Sequence, residues 1–444
     1  MFIGRRRTAA LAAAAMACVM VLAGCDSGGA KETEGGRTVV DFWQFKYEDY
    51  QQKWFKKQVD KYNASQDKVK VRIQVVPGDT WEQKLKAAQA AGRQPDVSTT
   101  AYNGIVPGTR EGRFAPLDDL LPAKAMSDIK ENVRDYVSVE GKTYAYPFLV
   151  EPSTVLYYRT DLVTAAGLDP AKPPTTWAEL LTWAKKLTKG KVKGMSIAST
   201  EADLGWTSWG LQYNACGHLP ISDDWSKARA TEPCFEKLAG LYRDLYSQGL
   251  VPKQPKVGYG DIAPYGQGDV AMSAGGSFSL GQLKNEFAGM VKKTAVAPFP
   301  SVDGDPEKTT ATLGGWTMTV DAKSQAKAEA ADFIKFLVAG DPAIMTDFFK
   351  ATGYSKYTTR TSVDEALASD PDATADPFMK VISEQVVPYS KPEAAHPWEV
   401  SLALGKAIEA AMKGKQSIPD ALKTADKAIN EAIKKQSLAG TAPK

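Results

Sequence analysis

Histidine is almost absent: the 444 residues hold two, His218 and His396. A Ser-His-Asp triad would have to use one of them. His396 precedes Pro397, and His218 lies two positions from Cys216, so both read as structural or surface residues. No His-Glu-x-x-His, Cys-x-x-Cys, phosphate-binding Gly-rich loop or nucleophile elbow occurs. The missing motifs shift weight from catalysis to binding, although two distant carboxylates can still meet in a fold. No basic tract or patterned basic helix appears, so the electrostatic footprint of nucleic-acid binding is missing. Beyond the N-terminus there is no long apolar run that could cross a membrane. The hydrophobic content of 43% and charged content of 24% are those of an ordinary globular protein.

What is present begins at the N-terminus. Arg5, Arg6 and Arg7 precede an apolar run from Ala9 to Ala23. At about 15 residues it is short of the roughly 20 needed to span a bilayer and reads as an export signal. Leu22-Ala23-Gly24-Cys25 resembles the lipobox of bacterial lipoproteins, in which the chain is cut before the cysteine and the thiol is acylated. This implies a signal peptide over 1–24 and a lipid, such as palmitate, on Cys25. A plain secretory signal remains the alternative, and Sec and twin-arginine export both stay open. Residues 25–36, polar and rich in Gly, then read as a flexible tether. Loss of 1–24 removes three arginines and no acid, so 52 basic side chains face 52 acidic ones and the net charge falls from +3 to zero. Of four cysteines, Cys18 leaves with the signal and Cys25 takes the lipid. Cys216 and Cys234 remain in a compartment that permits disulfides, either as one bridge or as two buried thiols.

Along the remaining chain, Thr38–Trp43 reads as a buried strand, 49–62 as a helix, and Val69, Val71, Ile73 and Val75 as a half-exposed strand. A helix over 81–91 and a strand over 96–100 follow, an order that argues for an α/β layer with a parallel sheet. Further strands are expected at 154–158, 269–272, 294–297 and 317–320. Thr176-x-x-Glu179 matches a capping box ahead of an apolar stripe at Trp177, Leu180, Leu181, Ala184 and Leu187. Helices are expected at 233–248 and 323–339, with Asp341-Pro342 opening another and an essentially helical end from 396 to 435.

Several segments in order carry a family resemblance. They are Tyr144-Ala145-Tyr146-Pro147-Phe148-Leu149-Val150-Glu151-Pro152-Ser153 with Leu156-Tyr157-Tyr158-Arg159, and Gly167, Pro173-Pro174 and Thr176-Trp177-Ala178-Glu179-Leu180. Gly268-Asp269-Val270-Ala271-Met272 with Gly275-Gly276, and Gly314-Gly315-Trp316 ahead of Phe333-Ile334-Lys335-Phe336-Leu337, complete the set. Over nearly the whole mature chain the sequence resembles the extracellular solute-binding proteins of ABC importers, in the maltodextrin-binding-protein-like sugar group. The resemblance implies an α/β, two-lobed hinged fold of the type II periplasmic-binding-protein kind, each lobe a sheet flanked by helices. It puts 37–149 plus 300–352 in the N-lobe and 150–299 plus 353–444 in the C-lobe. Crossings are expected near Phe148–Glu151, Pro298–Pro300 and Ala351–Tyr354. Asn214-Ala215-Cys216-Gly217 departs from the family's Asn-Gly-Gly, and Gly353-Tyr354-Ser355-Lys356 lacks a usual proline.

A sugar offers a C–H face and a rim of hydroxyls, and so needs flat aromatic surface plus orienting polar groups. Strand and helix ends supply the ligand-binding candidates: Trp43, Gln44, Tyr102, Asn103, Glu151, Trp206, Trp209, Gly276, Ser277, Phe278, Trp316 and Trp398, with Glu82 from a region that contributes an acid in the family. Trp43 and Trp316 read equally as core, and Glu82 reads more readily as a solvated helix charge. The resemblance implies a monomeric, non-enzymatic binding protein with no cofactor or metal, lipid-anchored outside the cell membrane, that delivers a mono- or oligosaccharide to permease subunits. Other solutes (a polyol, a glycerophosphodiester, a peptide), a tethered carbohydrate-active enzyme, or an adhesin or sensor are the alternatives.

Overall fold

A computed structural model describes residues 31–443 apart from Lys256, and leaves out the side chains of Asp79 and Glu82. The expected signal peptide and the expected lipid site at Cys25 lie outside the described residues. Nine main strands are labelled β1 (Arg37–Phe45), β2 (Val69–Val76), β3 (Val97–Ala101), β4 (Tyr146–Pro152), β5 (Val155–Arg159), β6 (Lys193–Ser196), β7 (Val270–Gly275), β8 (Thr294–Ala297) and β9 (Thr312–Val320).

They form two sheets. The first runs β2-β1-β3-β9-β4, with β1 parallel to β2 and β3, and β9 antiparallel to β3 and β4. The second runs β8-β5-β7-β6, where β7 and β6 are parallel and β5 is antiparallel to both neighbours. The expected parallel layer is therefore right for β1–β3, while both complete sheets are mixed.

Two large apolar cores follow the sheets. One gathers Phe42, Phe55, Phe148, Met318, Phe333, Phe348 and Val363. The other gathers Trp177, Leu180, Trp183, Phe235, Leu404 and Ile429. Each large apolar side chain so buried contributes roughly 1.5–3 kcal/mol relative to exposure. The capping box forms: Thr176 Oγ1 accepts from Glu179 N at 3.1 Å, while the Glu179 carboxylate accepts from Thr176 N at 3.2 Å. The helix Trp177–Leu187 then buries Trp177, Leu180, Trp183, Ala184 and Leu187. Glu201–Thr207 and Phe278–Glu286 are helices that the sequence reading passed over. The helix expected over 323–339 starts later, at Lys327, and changes to a π-helical turn at Lys335–Ala339. The residues before it are held in a turn, with Asp321 Oδ1 accepting from Lys323 N and Ser324 Oγ from Ala326 N.

The chain passes between the sheets at Ser153–Thr154, between β4 and β5, slightly beyond the expected Phe148–Glu151. It returns from β8 into β9 through 298–311. The two passages are bonded together, Ser153 N to Thr312 O at 2.8 Å and Thr312 N to Ser153 Oγ at 2.9 Å. A third segment lies along β4, with Val150 and Tyr357 exchanging both backbone bonds at 2.9 and 2.8 Å. Beyond it, Val363 still packs in the first core, whereas Met379 and Ile382 pack with Val155, Tyr157 and Val296 of the second sheet. The last passage thus falls between the helices Thr361–Leu367 and Pro377–Gln385, later than Ala351–Tyr354.

The expected free tether ends early. Thr33–Glu34 pairs with Thr38 and Arg37 across Gly35-Gly36. Both glycines have positive φ, +60° and +80°, as a tight two-residue hairpin turn requires. Salt bridges Lys31–Glu329 (2.6 Å) and Glu32–Arg72 (2.8 Å) fasten the segment to the first lobe.

Candidate functional site

The C-terminal ends of β1 and β3 and the start of β9 converge beside the crossing strands, the place where open α/β sheets bind ligands. β1 ends in Trp43-Gln44-Phe45. Pleat alternation sends Gln44 inward with Phe42 and turns Trp43 and Phe45 to the other face. Phe45 lies 4.3 Å from Trp316, ring centre to ring centre, and 6.1 Å from Trp81. Tyr47 meets Trp316 edge-on at 5.1 Å and stacks on Phe55 at 5.8 Å. Trp316 stays half-buried, opposite Leu149 and Ala101 in the sheet. Trp43, also half-buried, packs with Val76, Trp81 and Leu85. Gln44 is fully buried with neither amide atom hydrogen-bonded.

Charge gathers at the crossings. Lys356 donates to Glu151 at 2.6 Å, both side chains nearly sequestered, and its ammonium stands 5.8 Å from the centre of the Phe278 ring. Burial raises the Glu48 carboxyl to about 7, against the attraction of Lys356. Burial likewise raises Glu393 to about 7, against backbone donation from Asn103, while Glu151 pushes it further up. Asn103 N reaches Glu393 Oε2 at 3.1 Å. Gly314 makes the seat for that carboxylate: a Cβ there would overlap it. Glu48 and Glu393 are surrounded by protein yet each keeps some accessible surface, the mark of groups that line an interior space.

The second lobe contributes another wall. Tyr157 donates to Gly276 O at 2.8 Å, and a side chain at Gly276 would collide with Phe278. Ser277 is fully buried, its N–H on Pro152 O at 3.1 Å and its hydroxyl without a partner. Trp206 meets Tyr259 edge-on at 5.3 Å, and Tyr259 donates to Ser153 O at 3.0 Å, which fixes this pair to the crossing. Asp203 accepts from Tyr259 N at 3.2 Å, and burial raises its carboxyl. Trp398, opening the helix Trp398–Met412, packs against Gly205, next to Trp206. A pocket of about 270 Å³ lies beside Asp203 and Tyr259, lined also by Ser196, Ser199 and Gln254 and by no first-lobe residue.

Of the sequence candidates, the crossing region thus assembles Asn103, Glu151, Gly276, Ser277, Phe278 and Trp316, while Trp206 and Trp398 share the second-lobe wall. Tyr102 lines the first lobe with its hydroxyl on Leu149 O at 3.3 Å. Trp209 does not belong there. It is 2% exposed and its indole N–H is spent on Ser401 Oγ at 2.9 Å. Residues 206 and 209 are only three positions apart, but the break at Ser208 between two short helices turns one ring to the wall and the other into the core. Glu82 lies in the helix Trp81–Ala90, its side chain outside the described residues. Tyr47, Glu48, Asp203, Lys356 and Glu393 were missed, because they sit in no motif and their neighbours are distant in sequence. The Cys216–Cys234 disulfide is present, with Cα atoms 5.2 Å apart. Among the described residues no helix is long and apolar enough to cross a membrane.

Across the mouth the lobes touch. Lys86 pairs with Glu399 at 3.0 Å, and Arg110 lies 5.3 Å from the Trp225 ring centre and donates to Thr441 at 3.3 Å.

The profile of the bacterial extracellular solute-binding proteins matches residues 57–381. The chain belongs to that family. Among relatives of this solute-binding protein, a probable ABC transporter-binding protein of Deinococcus radiodurans is 26% identical over 268 residues, 57% of this chain and 61% of that one. The mannitol-binding protein of Pseudomonas aeruginosa is 26% identical over 283 residues, 61% of this chain and 63% of that one. The solute-binding protein therefore spans about three fifths of the length of these two relatives. A Thermotoga lettingae ABC transporter solute-binding protein, crystallised with α-D-tagatose, superposes with a TM-score of 0.75 at 23% identity, over 88% of this chain and 99% of that one. The two-lobed, sheet-and-helix architecture is shared with it.

Proposed function

We propose that the protein captures a carbohydrate or polyol between its lobes and hands it to the permease of an ABC importer. The observation that carries this reading is the half-buried Trp316 framed by Phe45 and Tyr47, next to polar groups that remain unspent inside the fold. A flat ring surface takes the C–H face of a saccharide, and carboxylates, amides and hydroxyls around it take the hydroxyl rim. Family membership and relatives that bind mannitol and tagatose support the same solute class. The protein acts as a monomer and without chemistry on its ligand. In this reading 1–24 is removed, and a lipid on Cys25 keeps the cleft at the outer face of the cell membrane, where tethering raises its effective concentration near the permease. In this reading the N-lobe comprises 37–152 plus the segment from β9 to the helix Thr361–Leu367, and the C-lobe comprises most of the rest.

Calorimetry with a panel of hexoses, hexitols and disaccharides tests the reading. Saturable binding of at least one, with no release of reducing ends, is the expected result. Binding confined to amino acids, peptides or glycerophosphodiesters would overturn it, and turnover of the sugar would make the protein an enzyme. Mass spectrometry of membrane-extracted protein should find a diacylglyceryl-modified Cys25; an unmodified thiol there would remove the anchor.

A further inference from the structure

The charges around the crossing do not balance. Glu151 presses on both Glu48 and Glu393, and Glu286 adds a further acid near Glu48. The cation that reaches this group is Lys356, and it is already bonded to Glu151. Lys284, on the neighbouring helix, is bonded to Asp376 and to Gly353 O. Among the described residues Glu393 has no ion-pair partner, and two backbone N–H groups, of Asn103 and Gly315, hold it. Its position is built rather than incidental, since Gly314 leaves the space that the carboxylate fills. Beside the Lys356–Glu151 pair, the Ser277 hydroxyl is fully buried and without a hydrogen-bond partner. It occupies the wall between Gly276 and Phe278, the ring over which the Lys356 ammonium stands. Aromatic faces of Trp316 and Tyr47 adjoin the same region. A neutral sugar would leave Glu48 and Glu151 to share the Lys356 ammonium and Glu393 held by backbone donors, and incompletely compensated buried charge is costly. A protonated amine on the ligand would meet Glu48 and Glu393 as charge-assisted hydrogen-bond acceptors, with Ser277 taking a hydroxyl.

Resting on the carbohydrate reading, we propose that the cleft selects a saccharide bearing a free basic amine, an amino sugar, with Glu393 and Glu48 as the residues that determine this specificity.

Matched ligands test it on the purified protein at pH 7.5: glucose, glucosamine and N-acetylglucosamine, the same three forms of mannose and galactose, and cellobiose beside its di-amino and di-N-acetyl counterparts. A charge-assisted contact in a sequestered site should favour the amine by about tenfold or more over both the neutral parent and the N-acetyl form. Glu393→Gln should shrink that ratio by about tenfold, and Glu48→Gln provides a second variant should the first fail to fold. Neutral forms binding as tightly as their amines in every set would overturn the inference and leave the carbohydrate reading standing. No binding by any saccharide, with or without an amine, would overturn both. An unchanged ratio in both folded variants would likewise sink the assignment of the two glutamates.

Discussion

Trp316 and Trp209 are similar residues in different surroundings, one half-buried and the other in the core. The Trp316 ring has aromatic neighbours and keeps part of its surface open, whereas the Trp209 ring is enclosed and hydrogen-bonded. Trp316→Ala should weaken ligand binding by about tenfold or more, since stacked aromatic contacts of this kind contribute on the order of 1–2 kcal/mol. Trp209→Ala should instead lower thermal stability, by about 3–5 kcal/mol for loss of a buried indole. Calorimetry and thermal melts on both variants check the division; a binding loss confined to Trp209 would reverse it. The glutamates make a second residue-scale prediction. Glu48 and Glu393 each stand near 7 in the fold, above the 4.5 of an unperturbed carboxyl. The folded state holds their protons more tightly than the unfolded chain does, so the stability they contribute is full below about 4.5 and is lost as pH rises through 7. His396 works in the opposite sense, because burial lowers it from 6.5 to about 4 and stability is lost as pH falls through that range. As pH rises above 6.5 the unfolded histidine loses its remaining charge, a small gain in stability that the loss from the two glutamates outweighs. The ligand-free melting temperature should therefore fall between pH 6.5 and 8, and the fall should flatten in a Glu48→Gln, Glu393→Gln double variant. A flat or rising profile in the parent protein would contradict it.

At the scale of elements, the strands, the capping box and the helix Pro233–Ser247 were legible because each is written in local periodicity or in caps a few residues apart. Trp43 and Ser277 could be marked as candidates for the same reason, near or just past the ends of strands, and Trp316 because it adjoins the strand expected over 317–320. Glu151 could be marked as well, but its partner Lys356 lies 205 positions away, and no local pattern joins them. Glu393 was invisible, since its significance comes from Asn103, in the turn after β3, and Gly314, in β9. The passages between lobes were displaced for a related reason: prolines at 298 and 300 punctuate the chain well before β9 joins the first sheet. The loop closed by Cys216–Cys234 was legible as a cysteine pair and as little else. In the fold it is tied to the C-terminal helix, with Asn430 accepting from Ala228 N at 3.1 Å, and to the chain end, with Asp224 O accepting from Gly440 N at 2.7 Å. Cys216→Ser with Cys234→Ser should lower the stability of the second lobe by about 3 kcal/mol, by release of loop-closure entropy into the unfolded chain. Denaturant titration with tryptophan fluorescence would check this, and an unchanged midpoint would mean that packing alone holds the loop.

At the scale of the whole molecule, closure needs contacts made only when the lobes meet, because a ligand shifts the hinge equilibrium only through differential interactions. Arg110 supplies one. It projects from the helix Ile105–Arg110 of the first lobe onto Trp225, at the tip of the disulfide loop of the second, and also reaches Thr441. Trp225 has a positive φ of 57°, a conformation that costs energy for a non-glycine residue and here aims the ring across the mouth. Arg110→Ala removes the cation–π contact and the hydrogen bond together, interactions that sum to about 1–2 kcal/mol at a partly exposed site. The loss falls on the closed state alone, so ligand should leave about tenfold faster, with little change in the rate of capture by the open form. Stopped-flow tryptophan fluorescence measures both rates, and small-angle scattering of the ligand-free protein should show a larger radius of gyration for the variant. Trp225→Ala should reproduce the cation–π part of the effect, and the double variant should add little to Arg110→Ala, which already removes that contact. Additive losses in the double variant would show that the two residues act separately, and the strap across the mouth would then lie elsewhere, with Lys86–Glu399 the next pair to test.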